Sequence, residues 1–216
     1  MLTEDYIMRM INQAIAALVA IAGFKKAGQY EQSRQAIDQA LEQLIGLRAD
    51  LVRRLDDHAI LQALTRQDNL DVDRLALVAE LLKEEGEILA AQGDRAAAQA
   101  SWLRGLNFYL EAGLAEGSAP APVLSQKINL LVDQLGLACL SDDTLWALFC
   151  YTELAGQYGP AAATLEHLAE RPGVYDDLRP ELAAFYQRLL ALTPAELAQS
   201  GLERSVIERK YQQSQQ

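Results

Sequence analysis

Apolar residues recur at spacings of three and four along almost the whole chain, the period of an amphipathic helix. The pattern predicts a first helix from about Glu4 to Ala27 and a second from about Tyr30 to Ile45, with Ile37, Leu41, Leu44 and Ile45 on one face. Residues 48–70 read as one or two short helices ended by Asp68-Asn69. Long helices follow over about Val72–Gln92, with Asp71 as the N-cap, and Arg95–Ala115. Residues 116–122 hold two prolines and a glycine and read as a linker. Beyond it come helices at about 123–137, 142–155, 160–170 and 176–192. Thr193-Pro194-Ala195-Glu196 is a capping box that starts a short helix, and a last helix spans about Leu202–Gln212. The organisation expected is N-terminal hairpins over 1–115, the linker, and C-terminal helices with a capping helix over 123–216, together one continuous domain.

The first helix has an unusual pattern. Ile7, Ile11, Ala14, Leu18 and Ile21 alternate four and three apart, the seam of a helix pair. Met8, Ile15, Val19 and Ala22 form a second apolar strip beside it, and from Ala14 to Phe24 there is no polar residue. A helix apolar all round must be covered all round. Later helices of the same chain can cover it, or a second subunit can; the expectation taken forward is a homodimer through this helix.

Composition sharpens the fold class. Leu (37) and Ala (35) supply a third of 216 residues, against 24 for Val, Ile and Thr together, which favours helix over strand. The formal charge of −11 and the absence of a concentrated basic patch argue against a nucleic-acid partner. The apolar run is too short to cross a membrane, and the Glu4-Asp5 leader is wrong for a signal peptide, so a cytoplasmic protein with no membrane association is expected. Cys139 and Cys150 form no CxxC pair and read as two small buried hydrophobes.

Three segments share one pattern. The clearest is Gly86-x2-Leu89-x3-Gly93-Asp94-x3-Ala98-x3-Trp102-x2-Gly105-Leu106. The others run through Phe24, Gly28-Gln29-Tyr30, Ser33, Ile37 and Ala40-Leu41, and through Leu145, Leu148, Gly156-Gln157-Tyr158, Ala161, Leu165 and Leu168. In each, a glycine ends one helix, and a small residue followed four positions later by a large one lets the next helix pack closely against it. These units resemble tetratricopeptide (TPR) repeats, and the chain as a whole resembles an uncharacterised bacterial TPR-like family. Ser33 stands where such units carry alanine, Phe149 where helix-A glycine is expected, and Pro160 precedes the small residue of the third unit. The motif glycines lie 65 and 63 residues apart, so intervening helices depart from the pattern. The resemblance implies an all-α, irregular TPR-like helical repeat, an α-α superhelix of about nine to eleven helices. It also implies a peptide groove: Glu80, Lys83 and Glu87 match groove positions of the second unit, and Asp143, Trp146, Cys150 and Glu153 those of the third. That groove would be mildly acidic, with Trp146 as its aromatic anchor.

Catalytic and metal chemistry find little support. Neither His58 nor His167 belongs to the Glu-x-x-His motif of a helical di-iron site, and there is no glycine-rich phosphate loop. No catalytic residue, cofactor or metal is assigned. The function expected is a non-catalytic protein- or peptide-interaction scaffold that self-associates. The alternatives are a helical bundle enclosing a small apolar ligand and an enzyme using groove carboxylates.

Overall fold

The computed structural model describes residues 2–117 and 120–215, with side chains from Met8 onward in the first helix. Ile7, at the head of the predicted seam, therefore has its side chain outside the described residues. Among the described residues there are twelve α helices and one two-stranded hairpin: α1 (Leu2–Lys26), α2 (Tyr30–Ile45), α3 (Ala49–Arg54), α4 (Asp57–Leu64), β1 (Thr65–Arg66), β2 (Asn69–Leu70), α5 (Val72–Ala91), α6 (Arg95–Ala115), α7 (Pro122–Leu135), α8 (Asp142–Leu154), α9 (Tyr158–Ala169), α10 (Tyr175–Leu190), α11 (Pro194–Gln199) and α12 (Arg204–Ser214). A single 3-10 turn, Leu137–Cys139, precedes α8. The protein is all-α, as its composition and periodicity require.

Local signals set the helix ends. The Asp71 side chain accepts from the Arg74 N–H at 3.2 Å and Asp94 from Ala97 at 3.1 Å, each satisfying a donor the helix cannot. The Thr193–Glu196 box is reciprocal, with Glu196 N–H to Thr193 Oγ1 at 3.3 Å and Thr193 N–H to Glu196 Oε2 at 2.8 Å. The end of the 48–70 stretch differs from expectation. Gln67 and Asp68 adopt φ of 50° and 61°, and this turn pairs Thr65 with Leu70 and Arg66 with Asn69. Two consecutive residues with positive φ match the twist of a tight hairpin. The Asp68-Asn69 signal therefore marks a hairpin and not a bare helix end.

The chain forms two compact units. One comprises residues 1–117 with 122–135, and the other is principally Gly136–Gln216. The Pro/Gly-rich stretch at 116–122 does not end the first unit. Helix α7, beyond it, packs on α6 and belongs to the first unit, and the division falls at Gly136, whose φ is 74°.

Three helix pairs, α1–α2, α5–α6 and α8–α9, are the tightest in the protein. Their turns share one geometry. Gly28, Gly93 and Gly156 have φ of 71°, 88° and 69°. The following residues, Gln29, Asp94 and Gln157, donate back to Phe24, Leu89 and Thr152 at 2.9, 3.0 and 2.8 Å, a six-residue closure that satisfies the last carbonyls of the preceding helix. The small residues Ser33, Ala98 and Ala161 are fully buried one turn later. In the α5–α6 pair the helices meet most closely at two glycines. A Cβ added at Gly86 would lie 2.3 Å from Trp102 Cδ1, and one at Gly105 would lie 3.1 Å from the Ala79 carbonyl oxygen.

In the second unit Phe149, Leu165, Phe185, Leu189, Leu197 and Ile207 form the core, with Phe149 and Phe185 edge-to-face at 5.2 Å. Helix α12 closes this core by lying on α10. Arg204 anchors it, donating to the carbonyls of Leu190 and Leu192 at the end of α10 (3.0 and 2.8 Å).

Candidate functional site

The residues predicted to line a groove on α5 do come together, but they are occupied by one another. Lys83 Nζ lies 2.7 Å from Glu80 Oε1, 2.8 Å from Glu84 Oε1 and 3.6 Å from Glu87 Oε1. Lys25, at the end of α1, reaches Glu84 at 2.5 Å and also pairs with Glu87. Lys127 of α7 reaches Glu80 at 2.5 Å, and the Tyr109 hydroxyl of α6 donates to the same carboxylate. The Lys127 ammonium also stands 5.6 Å over the Tyr109 ring. Three glutamates thus meet three lysines, and the surface expected to be mildly acidic is locally neutral. The physical reason is long-range: Lys25 and Lys127 arrive from helices 59 and 47 positions away from their partners in sequence.

The network shifts its members strongly. Burial alone would raise the Glu80 carboxyl, but the hydrogen bonds from Lys127, Lys83 and Tyr109 outweigh it and hold the group at about 2. Burial would lower the Lys83 ammonium, yet Glu80 and Glu84 drive it up. Burial and the Glu80 charge push the Tyr109 hydroxyl up, which keeps it protonated as a donor. Such a satisfied network ties α1, α5, α6 and α7 together. Sequence reasoning placed Glu80, Lys83, Glu84 and Glu87 on one side of this helix, with Glu80, Lys83 and Glu87 as groove positions, but missed Lys25, Tyr109 and Lys127.

In the second unit, Trp146 is 39 % exposed and tilts against Phe149 with ring centroids 5.4 Å apart. Glu153 is not free. Arg188 grips it with two bonds, Nε to Oε1 at 2.7 Å and Nη2 to Oε2 at 2.9 Å, and reaches Glu181 at 2.7 Å. Of the two cysteines expected to be buried, Cys139 is exposed at the end of the 3-10 turn and Cys150 is half-buried; burial followed by the Glu153 and Glu181 charges pushes the Cys150 thiol up, away from the reactive thiolate. Asp143 is exposed at the start of α8. The surface around Trp146 is thus an exposed indole beside a closed ion pair.

The predicted seam of α1 faces inward. Ala14 and Ile21 are 1 % and 0 % exposed, Ile11 and Leu18 are half-buried, and Met10 joins them in the core of the first unit, where α1 packs on α2 and α5. These positions are covered by the chain itself and offer no docking face. The neighbouring strip remains outside: Met8 is 57 %, Ile15 49 % and Val19 71 % exposed, flanked by exposed Asn12, Ala16, Ala20 and Gly23. Along this strip the large apolar side chains are interrupted by Asn12 alone among polar residues.

The hollows in the surface are open to solvent and mixed in character. One of 380 Å³ is walled by Leu82, Leu89, Ala97 and Ala100 with Arg34, Arg53 and Glu85 at its rim, and one of 390 Å³ lies between the start of α9 and the end of α11. Among the described residues, no group of three or more His, Cys, Asp or Glu side chains is placed to hold a metal ion, and no helix is long and apolar enough to cross a membrane.

The features on the page define an all-α protein of capped antiparallel helical hairpins, with an internally paired charge network and an uncovered apolar strip. The whole chain, residues 1–216, matches the family described as Family of unknown function (DUF6483), and the protein belongs to that family. No curated protein and no solved structure matches it.

Proposed function

We propose that this protein is a non-catalytic interaction scaffold of the cytoplasm that binds protein or peptide partners and self-associates, and that its three matching hairpins are units of an irregular TPR-like helical repeat. The observation that carries the reading is the strip Met8–Ile15–Val19, large side chains held in solvent on an ordered helix whose other face is already packed. The repeat reading is supported by the shared turn geometry at Gly28, Gly93 and Gly156. The exposed Trp146 supplies a second anchor of the kind that dominates binding energy at interfaces.

Affinity capture of the full chain, read by mass spectrometry with wild type beside Trp146→Ala, tests the partner side of this reading. A partner recovered in near-stoichiometric amount by wild type and several-fold less by the variant is expected. Recovery of the chain alone would withdraw the scaffold role for other proteins and leave self-assembly standing.

A further inference from the structure

We propose that the outer strip of α1 pairs antiparallel with the same strip of a second copy of this chain, with Met8 of each copy seated over Gly23 of the other. The proposal rests on the self-association reading above and fixes its surface, partner and register.

Shape sets the register. On the exposed face, large residues occupy positions 8, 15 and 19 and small ones positions 16, 20 and 23. An antiparallel pair in which facing positions sum to 31 sets Met8 against Gly23, Ile15 against Ala16 and Val19 against Asn12, so large meets small at each end and at the centre. Gly23 presents no side chain on this face, and no atom lies within 4 Å of where its Cβ would stand, so the helix surface there is open to a facing side chain. A register four residues shorter would press Met8 on Val19 and hold the helices apart.

Charge sets the direction and favours a second copy. Between positions 8 and 23 the exposed face carries one charge, Arg9, in a chain whose formal charge is −11. Two such copies repel over most of their surface and can approach where the charge is absent. A parallel pair would set Arg9 on Arg9 and Lys26 on Lys26. The antiparallel register sets Arg9 beside Ala22 and keeps the two Lys26 side chains at opposite ends of the pair. It also opposes the two helix dipoles favourably.

Area sets the strength. The strip is ~22 Å long at the helical rise and exposes roughly 400 Å² per copy, or about 800 Å² in the pair, below the size of a standard stable interface. The dimer is therefore concentration-dependent, with a Kd on the order of micromolar.

Sedimentation equilibrium of the full chain from about 1 to 500 µM, spanning that Kd, tests the proposal, with Val19→Glu and Gly23→Leu compared against wild type and circular dichroism verifying that both variants stay helical. Val19→Glu buries a charge in the pair, and Gly23→Leu fills the space that Met8 of the other copy takes while improving helix propensity. Each is expected to weaken the dimer at least tenfold. In a Cys139→Ser/Cys150→Ala background, a mixture of Met8→Cys and Gly23→Cys chains is expected to form the mixed disulfide on mild oxidation. A wild-type dimer untouched by either variant overturns this surface and leaves self-association intact. Disulfides only between two Met8→Cys chains overturn the antiparallel direction. A wild-type monomer throughout overturns both the pairing and the self-association reading.

Discussion

The closest approach in the first unit offers a test in which two physical effects predict opposite signs. Gly86 lies within α5, where replacing glycine by alanine adds ~1 kcal/mol through helix propensity. The structure opposes that gain. The new Cβ would stand 2.3 Å from Trp102 Cδ1, 2.4 Å from Nε1 and 2.9 Å from Cγ. These are ring atoms of a side chain wedged between α5 and α6, and its indole N–H is buried without a partner among the described residues. The overlap is about an ångström against two of these atoms and about half that against the third, so the upper part of the overpacking range applies, ~3 kcal/mol. The net is a loss of ~2 kcal/mol, which for a chain of this size lowers Tm by about 4–8 °C. Thermal unfolding followed by circular dichroism at 222 nm measures it. In a Trp102→Leu background the same Gly86→Ala change should turn neutral or stabilising, because the added methyl enters vacated space. A Gly86→Ala protein that melts higher than wild type would show that propensity wins and would refute the close-packing argument.

Further outcomes follow from the network, the hairpin and the first turn. The Glu80 carboxyl titrates at about 2 in the folded chain against 4.5 unfolded, so its contribution is complete above 4.5 and is lost as pH falls toward 2; Tm should decline across that window, and Glu80→Gln should show a shallower decline, an unchanged slope counting against the network. Asp68 sits at φ 61°, where glycine is unstrained, so Asp68→Gly should stabilise by about 0.5–1 kcal/mol, read as a higher midpoint in urea. Ser33 is fully buried and its hydroxyl donates to the Ile21 carbonyl at 3.3 Å, a long bond, so Ser33→Ala should change stability by no more than ~1 kcal/mol, whereas Ser33→Leu should force α1 and α2 apart and unfold the hairpin.

Most helix positions, two of the caps and the three matching hairpins were legible because each depends on residues within a turn or two: Asp71 caps its own helix, Thr193 and Glu196 bond each other, and Gly28, Gly93 and Gly156 take the left-handed conformation that closes the preceding helix. The hairpin at Gln67-Asp68 escaped notice because neither residue is a glycine, and positive φ at both is imposed by strand pairing. The candidate groove was half legible. The spacing of Glu80, Lys83 and Glu87 placed them on one side of α5. Their partners Lys25 and Lys127 come from other helices, and no local pattern announces a contact 59 or 47 residues away.

By itself, the sequence determined the helices, the three glycine-closed turns between them and the fact that α1 carries more apolar surface than one neighbour can cover, since all of these follow from the period and chemistry of adjacent residues. Only the tertiary structure decided how that surface is divided. Both strips of α1 are apolar and both satisfy helical periodicity, so the pattern cannot rank them. The packing of α2 and α5 against α1 takes the Ile11–Ala14–Leu18–Ile21 seam into the core and leaves Met8, Ile15 and Val19 in solvent. The same three-dimensional meeting of helices brings α7 back onto the first unit and turns a row of acidic positions into a neutral, internally bonded network.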